Sequence, residues 1–292
     1  MQNHRDDAEG TTKLLLAARD GSLLEAVVMR YADRATVCVS TQVGCPLGCA
    51  FCSTGAMGFQ RNLTPGEILD QVRVAQVLLR QESEDRRVTN VVYMGMGEPF
   101  LNLEALLTSV RLLIDGDGLN FARRAVSVST VGIPEGIRAL ADHEPQVGLA
   151  LSLHAPEDGL RNRLVPINKR FPISQIMTSV REHTARTHRK LMVEYVLLAN
   201  VNDSLHHADS LAQLLRGVMV VVNLLPCNPG VGGFRPTSAA AAHSFKERLE
   251  KAGVRTTMRT ARGRSITAGC GQLATSSGNQ LTTSSAKIRK NG

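Results

Sequence analysis

The chain has no tryptophan, and aromatics make up only 3% of its 292 residues. A stacking platform for single-stranded nucleic acid needs successive aromatic faces, so that class is disfavoured. No apolar run reaches the roughly 18 residues of a membrane span. The longest candidate, V-M-V-V-V-N-L-L-P, has the length and β-branched content of a buried strand. The N-terminus, MQNHRDDAEG, is polar and has no apolar stretch of the secretory type. A soluble, cytoplasmic protein with no membrane association is expected, and a monomer.

What is present is 43% hydrophobic residues, enough for one substantial core, and a net charge of +8. An excess of cations suits an anionic partner, and RNA contact would then rest on Arg and Lys. The six cysteines are Cys38, Cys45, Cys49, Cys52, Cys227 and Cys270. In a reducing compartment such a set is not a disulfide framework, and the clustering of three of them favours metal or redox chemistry.

Residues 1–10 are expected to be disordered. Extended segments at Lys13–Ala17, Leu24–Arg30 and Ala35–Thr41, with a turn at Arg19-Asp20-Gly21, read as a small β-extension over residues 11–37. Beyond it strands and helices alternate. Leu63–Arg80 carries helical periodicity, with Thr64 as N-cap, Pro65 at the first helical position and Glu67 closing a capping box. Strands are expected at Val88–Met94, Ala125–Thr130, Val147–Leu153, Leu191–Leu197, Val218–Leu225 and Val254–Arg259. Helices are expected at Leu103–Ile114, Pro134–Asp142, Glu157–Leu164, Ile173–Thr187, Leu205–Arg216 and Ser238–Ala252. Short apolar strands between helices imply a parallel sheet. Six βα repeats are too few for a closed eightfold barrel. The expected fold is α/β, a partial, open (β/α)6 TIM-like barrel over residues 38–259 with its site at the C-terminal strand ends. Residues 260–274 would form a loop, and the polar tail 275–292 would be disordered.

The stretch G-C-P-L-G-C-A-F-C-S-T-G sets Cys45, Cys49 and Cys52 at C-x3-C-x2-C spacing, with no second pair nearby. Soft thiolates so spaced suit an iron–sulfur cluster, and a cubane with three cysteine ligands leaves one iron open. A three-cysteine zinc site with a distant fourth ligand is the alternative. Gly97 and Glu98, in M-G-M-G-E-P, end the second barrel strand; glycine admits a ligand to the backbone, and Glu98 can accept from a cationic amine. Ser129, the run Ser152-Leu153-His154, and Asn228 fall at later strand ends, where a barrel gathers ligand contacts.

C-x3-C-x2-C with Phe51 before the last cysteine resembles the signature of radical S-adenosylmethionine (SAM) enzymes. Further motifs occur in order: C-V-S-T-Q-V-G-C, G-F-Q-R-N-L-T, M-G-M-G-E-P, S-L-H-A-P, V-P-I-N-K-R and R-G-R-S-I-T-A-G-C-G-Q-L-A. From about Lys13 to Ala274 the chain resembles the RlmN/Cfr family of radical SAM RNA adenine methyltransferases. The resemblance implies a barrel of the radical SAM type with a 4Fe-4S cluster on Cys45, Cys49 and Cys52. It also implies SAM held by Gly97, Glu98, Ser129, Ser152, Leu153, His154 and Asn228. Cys270 matches the cysteine methylated by a first SAM; a second SAM is split by a cluster electron to give a deoxyadenosyl radical that activates that methyl group. Cys38 matches the cysteine that then forms a disulfide with Cys270, and Glu25 matches the proton acceptor. Cys227 matches no such position and reads as structural.

The resemblance further implies 23S rRNA, with tRNA as a further RNA, as substrate and an electron donor such as flavodoxin. Methylation would fall on adenine C2, with C8, as in the Cfr branch, as one alternative and a noncatalytic iron–sulfur or zinc RNA-binding protein as another. Ribosomal members usually carry a helical N-terminal accessory domain, whereas only Met1 to about Gly10 precede the β-extension; the segment P-G-V-G-G-F-R-P after Asn228 is short. Arg61, Lys169, Arg170, Arg259, Arg262 and Arg264 are candidates for phosphate contacts.

Overall fold

Backbone pairing, more than side-chain character, decides where the first sheet begins. The computed structural model describes residues 1–228, 231–259, 263, 265–269 and 271–274. Its first strand, β1 (Gln2–Asp6), pairs antiparallel with β2 (Thr11–Ala17), Gln2 opposite Leu15. The expected disorder over residues 1–10 is thereby corrected. The polar sequence QNHRD buries little, but the free edge of β2 offers a row of backbone donors and acceptors that a polar strand satisfies as well as an apolar one. The extension continues through β3 (Leu23–Arg30), antiparallel to β2, into β4 (Ala35–Cys38).

From β4 onward every pairing in this sheet is parallel. After β4 come a two-stranded ribbon of β5 (Gln42–Gly44) and β6 (Phe59–Asn62), with the short helix α1 (Ser53–Ala56) between them, and then the long helix α2 (Pro65–Glu82). The barrel continues with β7 (Asn90–Tyr93), α3 (Leu103–Ile114), β8 (Val126–Thr130), α4 (Pro134–His143) and β9 (Gly148–Ser152). After α5 (Asp158–Leu164) and α6 (Ile173–Thr187) come β10 (Leu191–Leu197), α7 (Leu205–Leu214), β11 (Val220–Pro226), α8 (Ala239–Lys251) and β12 (Thr256–Met258). Strand order is β1-β2-β3-β4-β7-β8-β9-β10-β11-β12, one mixed sheet whose parallel part is the expected open barrel.

The elements form for the reasons their sequences suggest. Thr64 caps α2 by accepting the Glu67 backbone N–H at 3.2 Å while Glu67 reaches back to the Thr64 N–H at 2.9 Å, a complete capping box. Ser204 and Ser238 cap α7 and α8 by the simpler half of this device, their side chains accepting the His207 and Ala241 N–H groups. The apolar faces of the helices close over the outer face of the sheet, where Val37, Val91, Val128, Leu151 and Val193 are fully buried. Alternation along each strand then sends the opposite residues into the barrel: Cys38, Val92, Ser127 and Ser129, Ser152, Glu194 and Asn223. Among the described residues, no helix is long and apolar enough to cross a membrane.

Candidate active site

The turn after β7 is built by the strand-end stretch that precedes the cysteines. Ser40 Oγ donates to the Glu25 carbonyl at 2.6 Å and accepts the Met96 N–H at 2.8 Å. Gln71 holds Ser40 from the other side, accepting its N–H at 2.8 Å and donating to its carbonyl at 2.9 Å. Gln42 accepts the Glu98 N–H at 2.9 Å, and Asn102 donates to the Thr41 and Leu63 carbonyls at 2.9 and 2.8 Å. Gly97 has φ of 99°, which favours glycine, and a Cβ there would meet the Gln42 side chain at 2.6 Å. The polar run S-T-Q and the glycines of M-G-M-G-E-P are thus two halves of one packing unit.

Two adjoining cavities open at the C-terminal strand ends. The first is lined by Cys45, Cys49 and Cys52 together with Gly97, Glu98, Ser129, Ser152 and His154. Leu153, expected beside them, is fully buried and lies outside this lining; its carbonyl accepts Arg161 Nε at 2.9 Å. The second cavity is lined by Cys38, Asn228 and Gly269, and shares Cys52, Gly95, Arg259 and Gly271 with the first. Cys270 lies outside the described residues, as do Arg262, Arg264 and the tail 275–292. The glycines flanking Cys270 in sequence therefore line the same cavity as Cys38.

Electrostatics differ sharply from residue to residue. Burial pushes the Cys45 thiol up to about 12 and raises that of Cys49, helped by the neighbouring cysteines. Such thiols ionise readily only beside a metal centre. Among the described residues, no three His, Cys, Asp or Glu side chains converge on a single-ion site. Three thiols along one wall suit a cubane, which gives each thiolate its own iron, and on this donor set the residues fit a 4Fe-4S cluster. Glu98 is buried, and burial pushes its carboxyl up to about 7, although its oxygens accept the Phe100 and Val131 N–H groups at 3.1 and 2.9 Å. His154, at φ 60°, is held neutral by burial, with its value lowered to about 3. Its Nδ1 accepts the Val196 N–H at 3.1 Å, which leaves the proton on Nε2. Its ring meets Phe51 edge-on at 4.8 Å, tying the cysteine loop to the end of β9.

Glu25 lies in neither lining. It is buried on β3, on the same face as Val27, the cross-strand partner of Cys38. Lys13 Nζ sits 3.1 Å from its Oε1, and its Oε2 accepts the Ala274 N–H at 3.0 Å. Burial raises its pKa, against the opposing effect of Lys13.

Three residues escaped the sequence reading as parts of this site. Arg161 is fully buried and donates to the Leu153, Ser152 and Val131 carbonyls and, at 2.6 Å, to Asn168 Oδ1. It fastens the ends of β8 and β9 together. Its one sequence signal was Asn168, within the motif V-P-I-N-K-R. Glu194, buried on β10 in the first cavity, accepts Asn223 Nδ2 at 2.9 Å, and burial pushes it up to about 7 despite Arg259. Arg259 lines both cavities, so it belongs to the site interior and not to an outer phosphate surface. Arg61, another phosphate candidate, is engaged by Asp20 and Glu67 at 2.6 and 2.8 Å. Lys169 and Arg170 are exposed, as a phosphate contact requires. Cys227 is buried in a separate apolar cluster and lines neither cavity.

An open α/β barrel with three cysteines on the wall of its upper cavity defines the radical SAM class, and the model of the Radical SAM superfamily matches residues 39–211. A probable dual-specificity RNA methyltransferase RlmN of Thermus thermophilus is 48% identical over 267 residues, covering 91% of this chain and 75% of that protein. The corresponding protein of Thermotoga maritima is 45% identical over 265 residues, 91% of this chain and 76% of its own. The crystal structure of a radical SAM methyltransferase from Sphaerobacter thermophilus superposes with a TM-score of 0.90 at 46% identity, covering 94% of this chain and 80% of that one. The chain belongs to the radical SAM superfamily and, within it, to the RlmN family.

Proposed function

We propose that this protein is a radical SAM RNA methyltransferase that places a methyl group on C2 of adenine in 23S rRNA, with tRNA as a further substrate. The observation that carries the reading is the shared wall between the two cavities. The three-cysteine cavity adjoins the one lined by Cys38 and by the glycines on either side of Cys270 in sequence. Family membership supports the RNA substrate, and relatives described as dual-specificity RNA methyltransferases accord with two RNA classes.

In this reading Cys45, Cys49 and Cys52 hold a 4Fe-4S cluster, which supplies the electron that makes SAM a radical source. Gly97 lets the backbone approach SAM, Glu98 accepts from its ammonium, and Ser129, Ser152 and the Nε2–H of His154 face it from the later strand ends. Leu153 supports the strand end from behind, its N–H on the Glu194 carbonyl and its carbonyl on Arg161, and Asn228 acts from the adjoining cavity. Cys270 carries the methyl group from a first SAM to the base. Carbon C2 has no nucleophilic lone pair, so direct displacement on SAM fails and the covalent route through Cys270 is needed. Glu25 or Cys38 takes the ring proton, and Cys38 then bonds to the Cys270 sulfur, releasing the methylated base. A flavodoxin-like donor supplies electrons, and the protein works in the cytoplasm as a monomer.

Nucleoside mass spectrometry of rRNA and tRNA from cells lacking native 2-methyladenosine, with and without this gene, tests the proposal. 2-Methyladenosine is expected and should vanish in Cys270→Ala and Cys38→Ala variants. 8-Methyladenosine would move the protein to C8 chemistry. Neither nucleoside, with RNA binding retained, would leave the noncatalytic binding protein.

A further inference from the structure

Lys13 is buried, although a lysine ammonium seldom is without a partner. It has two, on different parts of the chain: Glu25 Oε1 on β3 at 3.1 Å and Thr267 Oγ1 in the C-terminal loop at 3.0 Å. Glu25 uses its other oxygen on the same loop, accepting the Ala274 N–H at 3.0 Å. One buried ion pair therefore grips the loop at Thr267 and at Ala274, on either side of Cys270 in the sequence. A second, independent feature lies at the gripped residue. Thr267 has φ of 50°, a left-handed conformation that a β-branched side chain adopts only under constraint. Its hydroxyl donates to the Ile266 carbonyl at 2.8 Å while accepting from Lys13. The loop is thus held in a form that it would not choose by itself.

We infer that Lys13 is a positioning residue that clamps the Cys270 loop to Glu25 and couples the loop's position to the proton affinity of Glu25; this rests on reading Cys270 as the methyl-carrying cysteine and Glu25 as a base. While the loop is docked, the Ala274 N–H stabilises the Glu25 carboxylate. When the loop withdraws, that hydrogen bond is lost and the carboxylate binds a proton more strongly. Glu25 thereby becomes the better base when the loop has left its dock. The titratable groups that act on it are Lys13 on β2 and His4 on β1, both favouring the carboxylate, while Cys38 on β4 lies opposite Val27 on the same sheet face.

Hydrogen exchange at Ala274 and across residues 265–269 in the cluster-loaded protein tests the clamp without needing RNA turnover. Lys13→Met, which keeps the aliphatic stem, should speed exchange there by about tenfold, and Lys13→Arg should restore it to within about twofold of wild type. Thr267→Val removes only the loop-side acceptor, so it keeps the test valid if Lys13→Met folds poorly; it should loosen residues 265–269 with iron content unchanged. In the methylation assay Lys13→Met should move the acid limb of the pH–rate profile to higher pH, and Lys13→Arg should return it. Unchanged exchange at Ala274 in folded Lys13→Met would overturn the clamp, whatever the RNA assay shows. Faster exchange in a protein whose wild type methylates no RNA would keep the clamp and remove the proposed function.

Discussion

Gly95 packs so closely on Ser40 that a Cβ added at Gly95 would lie 2.6 Å from the Ser40 hydroxyl oxygen. It would also lie 2.7 Å from the Val39 carbonyl, which no side-chain change can move. Gly95→Ala should therefore destabilise the fold by about 1–3 kcal/mol and weaken SAM binding by displacing the Glu98 turn. Ser40→Ala should not rescue it, since the Met96 N–H then loses its acceptor. Chemical denaturation and SAM titration of the single and double variants decide this; recovery in the double variant would show that backbone crowding is not the cause.

Arg161→Met should be costly even though the two side chains are similar in length. It leaves three carbonyls and Asn168 Oδ1 without their donor in a fully buried place. A loss of about 3 kcal/mol or more is expected, and Lys should not substitute, because one ammonium cannot reach a guanidinium's spread of acceptors. A urea midpoint near wild type for either variant would contradict this.

Glu194 makes stability fall with rising pH. Its folded pKa of about 7 stands above the ordinary 4.5, so between these values the native state binds more protons than the unfolded chain. Its stabilising contribution is complete below pH 4.5 and is lost as pH rises through 7, on the order of 3 kcal/mol. Glu194→Gln should flatten that part of a stability–pH curve, leaving a residual slope from Glu98, which shifts in the same direction. An identical slope in the variant would mean that Glu194 does not ionise on unfolding.

Iron and sulfide content should separate the cysteines. Cys45→Ala, Cys49→Ala and Cys52→Ala should each lose the cluster, whereas Cys227→Ala should retain it, since Cys227 is buried in the apolar cluster behind the cavity wall and lines neither cavity. Loss of iron in Cys227→Ala at unchanged stability would place that thiol in the site.

Much of the barrel was legible because its signals are local. The Thr64–Glu67 capping box and the bounds Leu103–Ile114, Ile173–Thr187 and Leu191–Leu197 follow from periodicity and end chemistry within a few residues of each element. Strand β1 was not, because its polar residues gain order from the backbone edge of β2 and not from burial. The cysteines and the G-E-P turn were visible as spacing, whereas Arg161 and Glu194 look like any surface charge in a helix and a strand until the chain is folded.

The alternation of strands and helices, the cysteine triplet and the family could all be read before folding, since each rests on residue type at fixed spacing. The place of Arg259 on the lining of both cavities, the burial of Leu153 outside them and the meeting of Lys13 with both Glu25 and Thr267 emerge with the fold. Those facts depend on which face of a strand meets which distant segment. Charge and hydropathy along a chain do not encode that meeting, because it arises only when burial forces remote polar groups to find one another.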